Sequence, residues 1–243
     1  MPPPAATSAW QLSYPANRFT PDRIEVPRVR APLAFRMMVC PTVANDDRKV
    51  IGMAETMSGV VVLRDAVKAD AVVIPRIRAA AWRAGYPGLV EDAVLAQLDP
   101  VADTQGWLAD WDTSGESRRA AEVDGTVVGY AVTSLYRSTD ADQARPAGPG
   151  DGELQALHVH PSAWSLGVGS ALLVDAVRQR ETAGCDVVRL WVMQANTRAR
   201  RLYAGHGFTD DGITHPYRPA GSTHPVAELR YSRSTAHGPQ LPE

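Results

Sequence analysis

The chain has 243 residues, 44% of them hydrophobic and 21% charged, the balance of an ordinary globular protein of one domain plus extensions or two small domains. Its formal net charge of −2 gives no support for a nucleic-acid or anionic-membrane partner. Cys40 and Cys185 make neither a disulfide framework nor a metal-binding pair, no apolar run approaches the ~20 residues of a membrane span, and MPPPAATSAW lacks the order of a signal peptide, so a cytoplasmic location is expected.

Residues 1–56 differ from the rest. Eight of the 19 prolines fall within the first 41 residues and no strand or helix period can be followed there. Proline at this density removes donors and blocks helix, so an extended, disordered arm is expected. The alternative is a functional arm whose Trp10, Tyr14, Phe19 and Phe35 dock on the domain. The folded domain is expected over 57–233, with a frayed tail over 234–243.

Val60 to Leu63 suits a short strand. Ala69 to Ala84 has Ile74, Ile77, Ala81 and Ala84 at helical spacing, with Pro75 either kinking the helix or marking its first turn. Tyr86-Pro87-Gly88 ends it, and Glu91 to Leu98 can form a second short helix. Arg118 to Val123 and Thr126 to Leu135 read as strands joined by an Asp124-Gly125 hairpin. A loop from Arg137 to Gly150 follows, then a strand from Glu153 to His160. Ser170 to Thr182 is helical and stopped by Gly184; Asp186 to Met193 is another strand. Asn196 caps a helix from Thr197 to His206, which Gly207 closes. Strands around Ile213 and from Ala227 to Tyr231 finish a mixed α/β sheet.

Between the Glu153 strand and the Ser170 helix stands SAWSLGVGSALL, with Gly167 and Gly169 at a helix start, where glycine costs stability. Exposed N–H groups and the helix dipole favour an anion there. A P-loop is excluded because no lysine follows the glycines, and a dinucleotide fingerprint is disfavoured by Leu172 at its third small position. A bare strand–turn–helix cradle for a pyrophosphate remains, against a turn that needs glycine only for packing.

The neighbouring residues add to this. Glu153-Leu154-Gln155-Ala156-Leu157-His158-Val159-His160-Pro161 with Trp164-Ser165-Leu166-Gly167-Val168-Gly169-Ser170-Ala171 resembles motif A of the GNAT superfamily of acetyl-CoA-dependent N-acetyltransferases. Asn196-Thr197-Arg198-Ala199-Arg200-Arg201-Leu202-Tyr203-Ala204-Gly205-His206-Gly207-Phe208 resembles its motif B, and the resemblance runs from about Val60 to Arg233. Trp164 departs from the family pattern, which has Gln or Arg in that place. The resemblance implies a mostly antiparallel central sheet flanked by helices, with a splayed strand pair at the motif A strand.

It also implies roles. Leu157, His158 and Val159 offer main-chain groups to the pantetheine arm of acetyl-CoA, Leu166, Gly167, Val168, Gly169 and Ser170 hold its pyrophosphate, and Asn196 contacts the coenzyme besides capping its helix. Tyr203 matches the family's acid for the departing thiolate, against a half-buried packing aromatic. Glu153 is a candidate base, directly or through water, against an exposed strand-end carboxylate. Trp82 and Tyr86, four apart on one helix face, line the acceptor site or pack the core. Asp140 and Asp142 are candidate attractors of a cationic acceptor or solvated loop charges. His158 and His160 share a strand face but have no third ligand, so no metal is expected. The implied activity is acetyl transfer to a small-molecule or amino-acid-like amine, with a protein lysine or amino terminus as alternative acceptor, a non-catalytic acyl-CoA sensor as alternative class, and a homodimer possible.

Overall fold

A computed structural model describes residues 60–112, 115–137, 148 and 150–235. The proline-rich arm 1–56, Asp140, Asp142 and the tail beyond 235 lie outside the described residues. The first strand, β1 (Val62–Asp65), leads through a 3-10 turn (Lys68–Val72) into α1 (Ile74–Gly85). Pro75 sits in the first turn of α1, where its missing N–H has no intrahelical partner to lose, so the single expected helix is two elements rather than one kinked rod. The next helix, α2, is Asp92–Ala96. A further helix, α3 (Pro100–Asp110), was not expected; Asp99 caps it by accepting from the N–H groups of Val101 and Ala102 at 2.9 and 3.2 Å, and Trp107 meets Tyr130 edge-on with ring centroids 5.7 Å apart.

The strands β2 (Ser117–Val123) and β3 (Thr126–Leu135) form the expected hairpin, with Asp124 at φ 50° as the turn type requires. Then come β4 (Gly152–Val159), α4 (Val168–Thr182), β5 (Val187–Met193), α5 (Thr197–Ala204), β6 (Thr209–Tyr217) and β7 (Val226–Ser234). The last strand outruns the expected boundary: the Thr235 hydroxyl donates to the carbonyl of Cys185 at 2.8 Å.

All seven strands belong to one sheet in the order β1-β2-β3-β4-β5-β7-β6. Every neighbouring pair is antiparallel except β4 and β5, which run parallel and are paired at Gly152 with Val188 and Glu153 with Arg189 and nowhere beyond. The ladder between β3 and β4 slips once: Val132 faces Ala156 and Thr133 faces Leu154, leaving Gln155 over as a bulge. After the bulge, Leu157 packs with the α4 core while His158 turns to Trp82.

One core joins Leu172, Leu173, Ala176 and Val177 of α4 to Val123, Val128, Leu154, Val188 and Leu190 of the sheet. On the other face, Ile74 and Ile77 of α1 cover Tyr130 and Val132. Where β4 meets β5 the sheet is pinned by charge. Arg189 holds Asp151 at 2.7 Å and Asp211 at 3.3 Å, Arg230 holds Asp211 at 2.8 Å, and the Ser232 hydroxyl donates to Asp211 at 2.6 Å. Arg230 is fully buried.

Candidate functional site

The start of α4 is shaped by one residue. Gly167 occupies the N-cap at φ 82°, left-handed backbone that a side chain would strain, and Ser165 just before it sits at φ 66°. The first intrahelical bond comes from the N–H of Ala171 to the carbonyl of Gly167, so the preceding N–H groups emerge from the helix end with its positive dipole. Gly169 plays a different part. A Cβ there would lie 3.5 Å from Leu202, 3.8 Å from Val159 and 3.9 Å from Leu157, ordinary contact distances, so packing between β4 and α5 does not by itself require glycine at this position.

Trp164 braces this turn. Its indole N–H donates to the carbonyl of Val159 at 2.7 Å, and the guanidinium of Arg198 lies 3.8 Å from the centre of its ring. Leu202 stands four residues beyond Arg198 on α5, so the face that meets Gly169 also carries this cation.

Past the last pair of the β4–β5 ladder lies a cavity of about 510 Å³. Its walls include Glu153 through His158 of β4, Trp191 and Met193 of β5, Asn196 and Tyr203 at α5, Trp82 of α1, Tyr86 (which caps α1 rather than lying on its face as expected), and Tyr217 and Glu228. The structure thus brings together Tyr203, Glu153, Leu157, His158, Asn196, Trp82 and Tyr86. Leu166 to Ser170 stand at the helix start, and Val159 is buried beside Gly169.

Each of these side chains is constrained. Tyr203 is buried, its ring 6.0 Å from Phe208, and burial pushes its hydroxyl above the ordinary tyrosine range, so it keeps its proton. Asn196 caps α5 by accepting from the N–H of Ala199 at 3.1 Å, and its side chain lies near enough to the Tyr86 hydroxyl to offset part of the rise that burial causes in that group's pKa. Trp82 and Tyr86 meet with ring centroids 4.9 Å apart, and the pair both lines the cavity and packs with Met193. His158 accepts from the Trp82 indole at 3.0 Å and stacks on Tyr130; burial lowers its pKa to about 4, which keeps it neutral. His160 instead pairs with the Ser162 hydroxyl at 2.7 Å, so the two histidines serve separate neighbours.

Glu153 is not the exposed strand-end carboxylate of the alternative reading. It is buried, and Arg137 grips it with Nε at 2.9 Å and Nη2 at 3.0 Å, while the Arg137 N–H adds a third contact at 3.2 Å. That grip makes it a fixed anion in the cavity wall.

The far wall was not foreseen. Glu228 of β7 stands opposite Met193 on one side and His215 on the other. Its Oε2 lies 3.7 Å from His215 Nδ1, and burial raises its pKa to about 7. His215 lies with its ring centroid 4.4 Å from that of Trp191. The sequence signal was an acid inside the otherwise apolar run Ala227-Glu228-Leu229, at a position the strand turns inward. Glu91 closes the same region: its Oε1 accepts from the hydroxyl of Ser222 and from the N–H groups of Thr223 and His224 at 2.7, 2.9 and 3.0 Å. Those contacts lower its pKa to about 2 and tie together the loops that follow Tyr86 and Tyr217.

Comparison with known proteins adds an independent line. A family model described as the acetyltransferase (GNAT) family matches residues 81–208, more than half of the chain. A mycothiol acetyltransferase of Stackebrandtia nassauensis is 38% identical over 141 residues, covering 52% of this chain and 44% of the relative. The chain therefore spans less than half the length of that relative. Among solved structures, the PaiA N-acetyltransferase of Thermoplasma acidophilum in complex with coenzyme A superposes with a TM-score of 0.55 at 16% identity, over 72% of this chain and 99% of the other. YncA of Salmonella typhimurium, a putative acetyltransferase solved with its cofactor acetyl-CoA, gives 0.53 at 21% identity, over 74% and 98%.

Proposed function

The chain belongs to the acetyltransferase (GNAT) family, and from that premise we propose that it moves an acetyl group from acetyl-CoA to the primary amine of a small molecule. The observation that carries this reading is where the sheet opens. The free edge of β4 and the buried Tyr203 border one cavity, and β4 runs on from that cavity toward the bare helix start at Gly167.

The residues present suit the coenzyme. Backbone groups of β4 beyond Glu153 have no ladder to β5. His158, in step with His160, turns its main-chain groups to β3 and Trp164 takes the Val159 carbonyl, which leaves Leu157 and the Val159 N–H able to pair with an amide-bearing chain. The N–H groups from Leu166 to Ser170 suit a pyrophosphate, and Arg198, set on Trp164, brings a cation to the side of the turn where the family pattern has Gln or Arg. When bound, acetyl-CoA supplies an activated acyl thioester. Asn196 holds α5 in register beside Tyr86; Tyr203 holds a proton for the departing sulfur. Trp82, Tyr86 and Trp191 offer ring faces to a cationic amine.

A chamber of about 510 Å³, with its flanking loops tied by Glu91, supports a small acceptor over a protein side chain. The test is a screen that follows free thiol release from acetyl-CoA across primary amines, amino-acid amides and lysine peptides. Thiol release with small amines is the expected result; release with peptides alone overturns the acceptor class, and binding of acetyl-CoA without transfer to any acceptor overturns the activity.

Arg198 can be tested separately. Arg198→Ala should raise the KM for acetyl-CoA about fivefold, the scale of one exposed charge contact, with little change in kcat. An unchanged KM would leave the pyrophosphate to the backbone alone.

A further inference from the structure

We propose that Glu228, not Glu153, receives the acceptor's ammonium group and takes its proton. The inference rests on the acetyltransferase reading and deepens it.

Two carboxylates line the cavity, and their surroundings separate their roles. Arg137 grips both oxygens of Glu153, so an ammonium arriving there meets a charge already neutralised. Glu228 is different. Its side chain is 14% exposed, and the imidazole of His215 stands just beyond hydrogen-bond distance at 3.7 Å. Burying a carboxylate without such compensation is costly, and a fold that retains one in a cavity wall keeps it ready for a cation.

The remaining neighbours suit a cation too. Tyr217 of β6 and Tyr86 at the end of α1 lie close enough for the charge on Glu228 to raise their pKa values. With Trp82 and Trp191 they give the cavity ring faces, and cations are held by such faces together with an anion. The charged and titratable groups that bear on Glu228 are thus His215 and Tyr217 from β6 and Tyr86 from the cap of α1. The neutral His158 and the Arg137–Glu153 pair of the β4 side share the cavity, as does Tyr203.

The proton balance closes. An alkyl ammonium has a pKa near ~10 and cannot attack until it loses a proton, which Glu228 accepts and later returns to solvent. The neutral nitrogen then forms the C–N bond as the C–S bond breaks. The sulfur takes the proton of Tyr203, and the second proton lost by nitrogen restores Tyr203.

Burial raises the pKa of Glu228 to about 7, so the active, ionised form is lost below that pH. For the wild type, kcat/KM should fall about tenfold per pH unit below 7 and level off above it. The sign for stability is opposite. A carboxyl whose folded pKa exceeds its unfolded value of ~4.3 loses stability as pH rises from there to about 7, so Glu228→Gln should gain in Tm over the wild type across that window.

The test uses the full chain, with Glu228→Gln, Glu153→Gln and the wild type, and ethylamine as the probe carrying only the reacting group. With 13C-labelled glutamate, the NMR signal missing from Glu228→Gln should titrate near neutral pH and move down by about one unit when ethylammonium saturates the protein. A titration that does not move overturns the proposal, whatever the chain's activity. In the thiol-release assay, Glu228→Gln should lose ~10² in kcat/KM and its acid limb, with acetyl-CoA affinity unchanged, while Glu153→Gln keeps the limb. Wild-type rate and limb in Glu228→Gln also overturn it. A wild type that binds acetyl-CoA yet acetylates no amine sinks the acetyltransferase reading instead, and the NMR titration then decides Glu228 alone.

Discussion

Tyr203→Phe should lower kcat by ~10², the usual scale for losing a general acid, while acetyl-CoA affinity and Tm stay near wild type. The ring stays, so its packing against Phe208 and the α5 core is kept, and only the hydroxyl at the cavity is removed. Burial already holds that hydroxyl protonated well above neutral pH, so the wild-type rate should show no loss from tyrosine ionisation through pH 9. Steady-state thiol release, with calorimetric binding of acetyl-CoA, separates the outcomes. Turnover equal to wild type would pass the sulfur's proton to water, and a matching loss of affinity would make Tyr203 a wall of the coenzyme channel.

The second large effect is on stability. Asp211→Ala should cost roughly 3–5 kcal/mol, because it takes the carboxylate from the fully buried Arg230 and one of the two carboxylates from Arg189, which keeps Asp151. For a domain of this size that corresponds to a fall in Tm of roughly 6–20 °C. Asp112→Ala is the control: its pair with Lys68 spans 2.7 Å, but both side chains are more than half exposed, and such pairs contribute about 0–1 kcal/mol. Equal melting curves for the two variants would mean that water relaxes into the Asp211 site and that the network is not structural.

What was legible in the sequence followed local periodicity and local chemistry. The hairpin at Asp124-Gly125, the cap at Asn196 and the bare start of α4 each depend on residues within a few positions of one another, and each stands where it was expected. The helix α3 escaped notice because its signals are a single aspartate cap and a proline at its first turn, and it buries no residue fully. Much of β6 was hidden by Asp210, Asp211, Gly212 and Pro216, residues that strands avoid but an edge strand tolerates. The site divides the same way. The proposed coenzyme side lies within two motifs, whereas the proposed acceptor wall is assembled across the sheet. Glu228 gains its meaning from His215 on the neighbouring strand and from Tyr86 at the end of α1, and Glu153 from Arg137 sixteen residues earlier; no spacing rule along the chain joins these partners.

The seam between β4 and β5 carries a consequence for cooperativity. Across it the backbone is joined by two residue pairs, beside one buried ionic cluster and the core that α4 shares with both blocks, so a fluctuation that parts the four-stranded block from the three-stranded one sacrifices far less backbone pairing than one that splits either block. A ligand lying along the free edge of β4 serves as a surrogate strand and supplies the cohesion that the sheet lacks. Occupancy at a hundred times Kd stabilises the bound state by about 2.7 kcal/mol, and that increment should reach the amides of β5, β6 and β7 as well as those that touch the ligand. Protein and ligand should then unfold as one unit, whereas the unliganded chain has a built-in fault line along which strands β5, β6 and β7 should exchange hydrogen earlier than the rest.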